Sequence, residues 1–313
     1  MPLGENSTLP QIAIIGVGQV GAAAAYALIL DSVPSELLLV DVSVDVRDSQ
    51  VRDLSDTTYT ANSVTRVRAA TYREASQSDI VVITAGSKYP RGETSLQHMY
   101  RKIAILRNII QAMKPFRPET IILVVANPVD LLTSIAQGLS GLPVSQVMGS
   151  GTFLDSVRLR GLLAEQTGVA VSSIDIYTLG VHGDSQVVAW SIATIGGIPI
   201  DEVLPPDTLD RGNLEKECKG RSQRIVQGKG AIPFGIGSAI SSICSSILYD
   251  KRNVRPISHF QPEFKCCFSL PVVLGSGGII KTIRPLLNDK ERADLTEAGQ
   301  MLRNTIDRIN EDE

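Results

Sequence analysis

Gln11-Ile12-Ala13-Ile14-Ile15-Gly16-Val17-Gly18-Gln19-Val20-Gly21 is the stretch that decides the fold. Its apolar half, Gln11–Ile15, reads as a buried strand. The glycines that follow have the spacing G-x-G-x-x-G. Gly16 permits a tight turn, Gly18 lets backbone approach a pyrophosphate, and Gly21 lets a helix pack on the strand. An alanine-rich helix is expected from about Val20 to Leu30. Gln19 and Val20 stand at its start, where the positive end of the helix faces phosphates. The next apolar run, Glu36–Asp41, ends on an aspartate twenty residues after Gly21. A carboxylate there accepts both ribose hydroxyls and repels a 2′-phosphate, so the pattern favours NAD over NADP. Glycine turns are common, and the motif alone is weak. The strand before it, the helix after it and the acid at that distance make it specific.

Outward from this unit the pattern repeats. Asp79–Ile83 and Thr120–Ala126 are further strands, with helical stretches near Leu96–Met113 and Val129–Leu139. Strand and helix in alternation imply a parallel sheet covered on both faces. Past about Gly149 the texture changes. An amphipathic helix over Phe153–Thr167 leads to two β-branched runs, Ile174–Leu179 and Gln186–Thr194. A charged helical stretch (Leu209–Gly228), an apolar one (Phe234–Tyr249), strands near Val254–Ser258 and Phe264–Leu274, and a closing helix from about Lys290 complete the chain. The fold class is therefore α/β, a Rossmann doubly wound parallel sheet followed by a mixed α/β catalytic domain. The expected division is a flexible arm over 1–9, an NAD-binding domain over 10–149 and a substrate domain over 150–313.

The 313 residues suffice for a substantial core. A net charge of −3 offers no basic surplus for phosphates, so nucleic acid is not an expected partner. The polar start lacks the features of a signal or transit peptide, and no apolar run reaches the ~20 residues of a membrane span. A cytoplasmic protein without membrane contact is the expectation. Cys218, Cys244, Cys266 and Cys267 form no CxxC pair and read as buried, reduced thiols. With three histidines and no clustered ligands, no metal site is expected.

Because histidines are few, each can be weighed. His259, between Ser258 and Phe260, reads as structural, and His98 as solvated. His182 lies in Gly180-Val181-His182-Gly183-Asp184-Ser185, where glycines allow unusual backbone between two strand-like runs. Histidine is the usual proton-transfer group near neutral pH, which makes His182 the candidate acid/base.

With these segments in view, the chain resembles the L-lactate/malate dehydrogenase family over about residues 10–309. The resemblance rests on GVGQVG, LLLVD, DIVVITAG, the GETSL loop, ANPVDLLT, GSGTFLDSVRLR, LGVHGDS and FSLPVVLG, in that order. ANPVD, LDS and HGDS look closer to the lactate than to the malate branch, and the overall texture is similar to fungal members. The resemblance implies hydride transfer between NAD(H) and a small 2-hydroxy or 2-oxo acid, with L stereochemistry, in a homotetramer or homodimer. It implies that His182 exchanges the substrate proton, that Asp155 pairs with it, and that Arg158 grips the substrate carboxylate. Asn127, in Ala126-Asn127-Pro128, would serve both the nicotinamide and the substrate carbonyl. A carboxylate partner favours imidazolium and fixes the tautomer. A guanidinium offers two parallel donors to two oxygens.

Four positions depart from the family pattern. Ser95, in Gly92-Glu93-Thr94-Ser95-Leu96, stands where the mobile loop usually carries a carbonyl-polarising arginine, and Arg91 is the candidate replacement. Tyr89 stands at the usual glutamine (lactate) or arginine (malate), Ile232 at the threonine of the lactate pocket, and Lys102 at a common asparagine. Tyr89 and Ile232 would make the pocket mouth larger or more apolar. Arg160 matches an arginine that binds an activating sugar bisphosphate in some bacterial relatives. Asp175 stands at the matching histidine, so no such activation is expected. The leading expectation is L-lactate/pyruvate chemistry. The alternatives are a dehydrogenase for a bulkier 2-oxo acid or malate, or a catalytically impaired NAD-binding relative.

Overall fold

The computed structural model describes residues 9–33, 35–87, 92, 94–205 and 207–311. Tyr89 and Arg91 lie outside the described residues, as does the expected N-terminal arm apart from residue 9.

The first half follows the expected alternation. Strand β1 (Gln11–Ile15) leads to helix α1 (Gln19–Leu30), β2 (Glu36–Val40), α2 (Val44–Thr60), β3 (Arg66–Ala69) and a short α3 (Tyr72–Ala75). Then come β4 (Ile80–Ile83), α4 (Ser95–Met113), β5 (Ile121–Val124), α5 (Val129–Ser140) and β6 (Val147–Gly149). These six strands pair in parallel in the order β3-β2-β1-β4-β5-β6. That order reverses direction between β1 and β4, the place where doubly wound sheets bind nucleotides.

Continuous apolar strands are what a sheet covered on both faces requires. Successive side chains of a strand point to opposite faces. Thus Ala13 and Ile15 enter one core, with Val81, Ile83, Ile122 and Val124, while Ile12 and Ile14 enter the other, with Ile80, Val82, Ile121 and Leu123.

Helix α6 (Phe153–Thr167) opens the second half. Short strands β7 (Ile174–Asp175), β8 (Thr178–Leu179), β9 (Val187–Val188), β10 (Thr194–Ile195) and β11 (Ile198–Pro199) precede α7 (Ile200–Val203), α8 (Arg211–Lys229) and α9 (Pro233–Leu248). Strands β12 (Val254–Gln261), β13 (Cys266–Gly275) and β14 (Gly278–Thr282) precede the closing helix α10 (Asp289–Glu311). Among the described residues β12–β14 extend the main sheet to nine strands, Ser258 of β12 pairing antiparallel with Gly149 of β6. Residue 149 is therefore where the parallel half of the sheet ends, and the sheet itself continues into the second half. Helix α9 returns to cover α1: a Cβ at Gly237 would stand 2.8 Å from the Ala23 backbone, so the contact requires glycine.

Three local expectations change. The run Ile174–Leu179 splits into β7 and β8, in different small sheets. Ile174 and Ile176 pack in a core with Leu159 and Leu163, whereas Leu179 joins the main-sheet core, so the chain must turn between them. Helix α2 and strand β3 were not anticipated. The helix buries only Leu54 and Thr58, and the strand lies at the sheet's edge, so neither carries a strong apolar period. His98 is buried on α4, not solvated. His259 is structural as expected, its Nδ1 2.8 Å from the Ile257 carbonyl and its Nε2 2.9 Å from Thr282 Oγ1. All four cysteines are free and buried, and burial pushes the Cys218, Cys244 and Cys266 thiols up to about 12.

Among the described residues no helix is long and apolar enough to cross a membrane. No group of histidine, cysteine and acidic side chains there could hold a metal ion.

Candidate active site

The glycine turn is built as its spacing suggests. Gly16 has φ +89°, and a Cβ on it would meet Ala85 at 2.6 Å; a Cβ on Gly21 would press into the Gly16 carbonyl. Gly18 has nothing within 4 Å of its would-be Cβ, so its backbone borders open space. A dinucleotide's pyrophosphate needs just such an approach at the start of a helix, and α1 begins at Gln19. Gly16, Gly18, Gln19, Val20, Gly21 and Asp41 thus fit NAD. Asp41 Oδ2 accepts the Val17 N–H at 2.8 Å, and its Oδ1 accepts the Ser43 N–H at 2.9 Å. The aspartate therefore also braces the turn. Asp41→Ser is expected to narrow the preference for NADH over NADPH and to weaken NADH itself, because one change removes both the repulsive charge and that brace. Titrating both cofactors into parent and variant checks this. Equal use of the two by the unmodified protein would show the assignment to be wrong.

The second cluster comes from α6 and the turn after β8. Gly149 ends β6, Gly151 (φ +53°) turns the chain, and Thr152 leads into α6, its N–H held by Ser269 Oγ at 3.0 Å. That turn sets Asp155 and Arg158 on the first part of the helix. Gly180 (φ +81°) pairs its backbone with Ser269 of β13, and Gly183 has φ +114°, so His182 sits in a turn tied to the sheet. Its Nδ1 lies 2.8 Å from Asp155 Oδ2. Asp155 Oδ1 accepts from Arg158 Nη1 at 3.2 Å. The aspartate side chain is 3% exposed, the arginine 8% and the histidine 22%, so only the imidazole has substantial access to solvent.

Burial by itself pushes the His182 pKa down. The hydrogen bond and charge of Asp155, with the charge of Asp130, overcome this and raise it above the ordinary 6.5. With Nδ1 committed to Asp155, Nε2 is the nitrogen free to exchange a proton. Arg158 Nη1 also donates to Ser222 Oγ of α8 at 2.6 Å. Among the described residues Nε and Nη2 make no further intramolecular bond, which leaves donors for a carboxylate.

Asn127 is exposed between β5 and α5, at the carboxyl end of the parallel strands, the same end at which β1 delivers the glycine turn. Ile232 is half-buried immediately before α9. Ser95 is the first residue of α4, after Thr94, whose hydroxyl and the Gln97 side chain cap the helix reciprocally. Gly92 has φ +86° and Thr94 is extended. Position 91, the candidate replacement for the loop arginine, lies outside the described residues. Lys102 is half-buried, and desolvation lowers its pKa. Arg160 lies 4.0 Å from Asp175 and stacks on Tyr177 at 5.2 Å, so the aspartate partly neutralises the arginine.

Two residues of this cluster carried no prior assignment. Asp130, one residue past the start of α5, accepts the His182 backbone N–H at 2.7 Å. Its only sequence signal was membership of ANPVD. Ser222 lies in a charged helix whose pattern gives no sign of which side chain meets Arg158.

A Rossmann sheet with an open glycine turn, joined to a solvent-accessible histidine on a buried aspartate beside an arginine, defines a dinucleotide-dependent oxidoreductase. Residues 10–149 match the family described as lactate/malate dehydrogenase, NAD binding domain, and residues 152–313 match lactate/malate dehydrogenase, alpha/beta C-terminal domain. The chain belongs to the lactate/malate dehydrogenase family. It is 41% identical over 293 residues to L-lactate dehydrogenase A of Rhizopus oryzae, covering 94% of this chain and 91% of that one. To L-lactate dehydrogenase of Thermus aquaticus it is 36% identical, covering 94% and 97%. The ligand-bound minor L-lactate dehydrogenase of Enterococcus mundtii superposes with a TM-score of 0.92 at 31% identity, covering 97% of this chain and 99% of that one.

Proposed function

We propose that this chain is an NAD-dependent L-2-hydroxy-acid dehydrogenase that interconverts lactate and pyruvate. The observation that carries the reading is the 2.8 Å contact of His182 Nδ1 with buried Asp155, with Arg158 on the same cluster. The L-lactate dehydrogenases to which the chain is similar over nearly its full length support it.

NAD, when bound, supplies or accepts the hydride at the substrate's second carbon. The protein does the rest. Arg158 binds the substrate carboxylate through its uncommitted N–H groups. In reduction, His182 Nε2 gives a proton to the carbonyl oxygen; in oxidation the neutral imidazole takes it from the alcohol. Asp155 keeps the ring in one tautomer and stabilises its charged form. Asn127 orients the carbonyl and the nicotinamide, and Ile232 lines the pocket. The segment 10–149 is the NAD-binding domain, and 150–313 is the catalytic and substrate domain, which carries Asp155, Arg158 and His182. Because the His182 pKa is raised, pyruvate reduction persists past pH 6.5 and declines as rising pH strips the imidazolium. Lactate oxidation gains over the same range. Opposite pH trends for the two directions check this.

A panel of 2-oxo acids with NADH, followed by absorbance, tests the function, and pyruvate should be the best substrate. A bulkier 2-oxo acid is favoured by Ile232 and Tyr89 and would outrun pyruvate if that reading holds. Malate is disfavoured by the absence of arginine at position 89. The loop arginine is a separate test. Loss of one oxyanion donor typically costs about 10²–10³-fold in rate. If Arg91 supplies that donor, Arg91→Ala lowers kcat/KM for pyruvate by about 10²-fold and Ser95→Arg restores part of it. Parent rates in Arg91→Ala, with a large gain from Ser95→Arg, would make Arg91 a bystander.

A further inference from the structure

Asp130 is a buried carboxylate for which the acid/base pair described above leaves no role. It stands in the first turn of α5, where the helix's positive end favours a negative charge. Oδ2 accepts the His182 backbone N–H at 2.7 Å, while Oδ1 is buried without a hydrogen-bond partner. Ser258 Oγ of β12 is near enough to favour the ionised form but falls short of hydrogen-bond geometry. A half-satisfied buried carboxylate is costly to keep, so its retention beside a functional group calls for a reason.

Charge supplies one. The titratable groups that act on Asp130 are His182, from the turn after β8, and Asp155, from α6. It acts in turn on the Cys266 and Cys267 thiols of β13, both neutral because burial pushes them up. Arg158 completes the ion set around His182. With His182 protonated, two cations (Arg158, His182) face two carboxylates (Asp155, Asp130), and the buried cluster is neutral. Without Asp130 the imidazolium would form against one carboxylate and a neighbouring guanidinium.

We propose that Asp130 is a positioning residue for His182: its carboxylate fixes the backbone of the His182 turn and serves as the second counter-charge for the imidazolium. The inference rests on the reading of His182 as the acid/base. Burial pushes the Asp130 pKa up to about 6, so it remains mostly ionised at neutral pH, where reduction needs the proton on His182.

Asp130→Asn is nearly isosteric and keeps an oxygen for the His182 N–H while removing the charge. The alkaline midpoint of pyruvate reduction should move to lower pH. Above that midpoint, kcat/KM falls about tenfold for each pH unit of lost proton affinity. NADH affinity, read by fluorescence, should stay at the parent value, and Asp130→Glu should bring the midpoint back further than it restores kcat. An unmoved midpoint with parent kcat would overturn the proposal and leave Asp130 a packing residue. NMR gives a second route that does not depend on Asp130→Asn folding. In His182→Asn protein, whose side chain at 182 does not titrate, the amide proton at that position should shift as Asp130 titrates near or above pH 6. No shift there would equally overturn it. Should His182→Asn keep parent turnover, the acid/base reading itself fails, a result distinct from either outcome at Asp130.

Discussion

His182→Asn is expected to lower kcat/KM for pyruvate by about 10²–10⁴-fold, the range that a positioned acid or base contributes. The amide can still donate a hydrogen bond to Asp155, so the fold of the turn, held by Gly180, Ser269 and Asp130, has little cause to change. What the variant lacks is a group that changes protonation state near neutral pH. NADH binding should stay close to the parent value, because the glycine turn joins β1 to α1 and Asp41 directly follows β2, apart from the His182 turn. The remaining activity should also lose its alkaline decline, since the group responsible for that decline is gone. Steady-state rates across pH, with NADH titrations beside them, check all three points. Turnover within a few-fold of the parent would exclude His182 as the proton carrier.

Arg158→Lys is the second large effect. The guanidinium holds Asp155 at 3.2 Å and Ser222 at 2.6 Å from a buried position, and in the proposed function its remaining donors take the substrate carboxylate. An ammonium is a single strongly hydrated point and cannot reproduce a two-point clamp from a position that is 8% exposed. Hydrogen bonds to charged groups contribute about 1.5–3 kcal/mol, and losing them amounts to roughly 10–10²-fold. The loss should fall mainly on KM for pyruvate, with kcat also reduced because the carbonyl is no longer held against His182. KM for NADH should not move. Activity on pyruvate equal to the parent would remove Arg158 from the substrate site, and an equal loss in affinity for NADH would point to a misfolded α6.

The parallel sheet was legible from Gln11 to Asp41 and from the runs at 79–83 and 120–126, because strands buried on both faces must be apolar throughout. The cofactor turn was equally plain, since Gly16, Gly21 and Asp41 each answer a local demand of backbone, packing or charge that close sequence neighbours create. His182, Asp155 and Arg158 were named from their motifs, but neither periodicity nor spacing could bring residue 155 to residue 182. Tertiary structure did that, through the turn at Gly151 and the pairing of Gly180 with Ser269. The same limit hid α2 and β3, whose exposed faces give no apolar rhythm, and hid the burial of His98. It also hid Asp130 and Ser222. A side chain's partner across the fold leaves no mark on its own neighbours, so Ser222 reads as one polar residue on a charged helix until α8 is laid against Arg158. The extension of the sheet by β12–β14 was decided the same way. An antiparallel pairing of Ser258 with Gly149, more than a hundred residues apart, puts β12 on the β6 edge and leaves β3 as the other edge, a choice between two open edges that no local pattern makes.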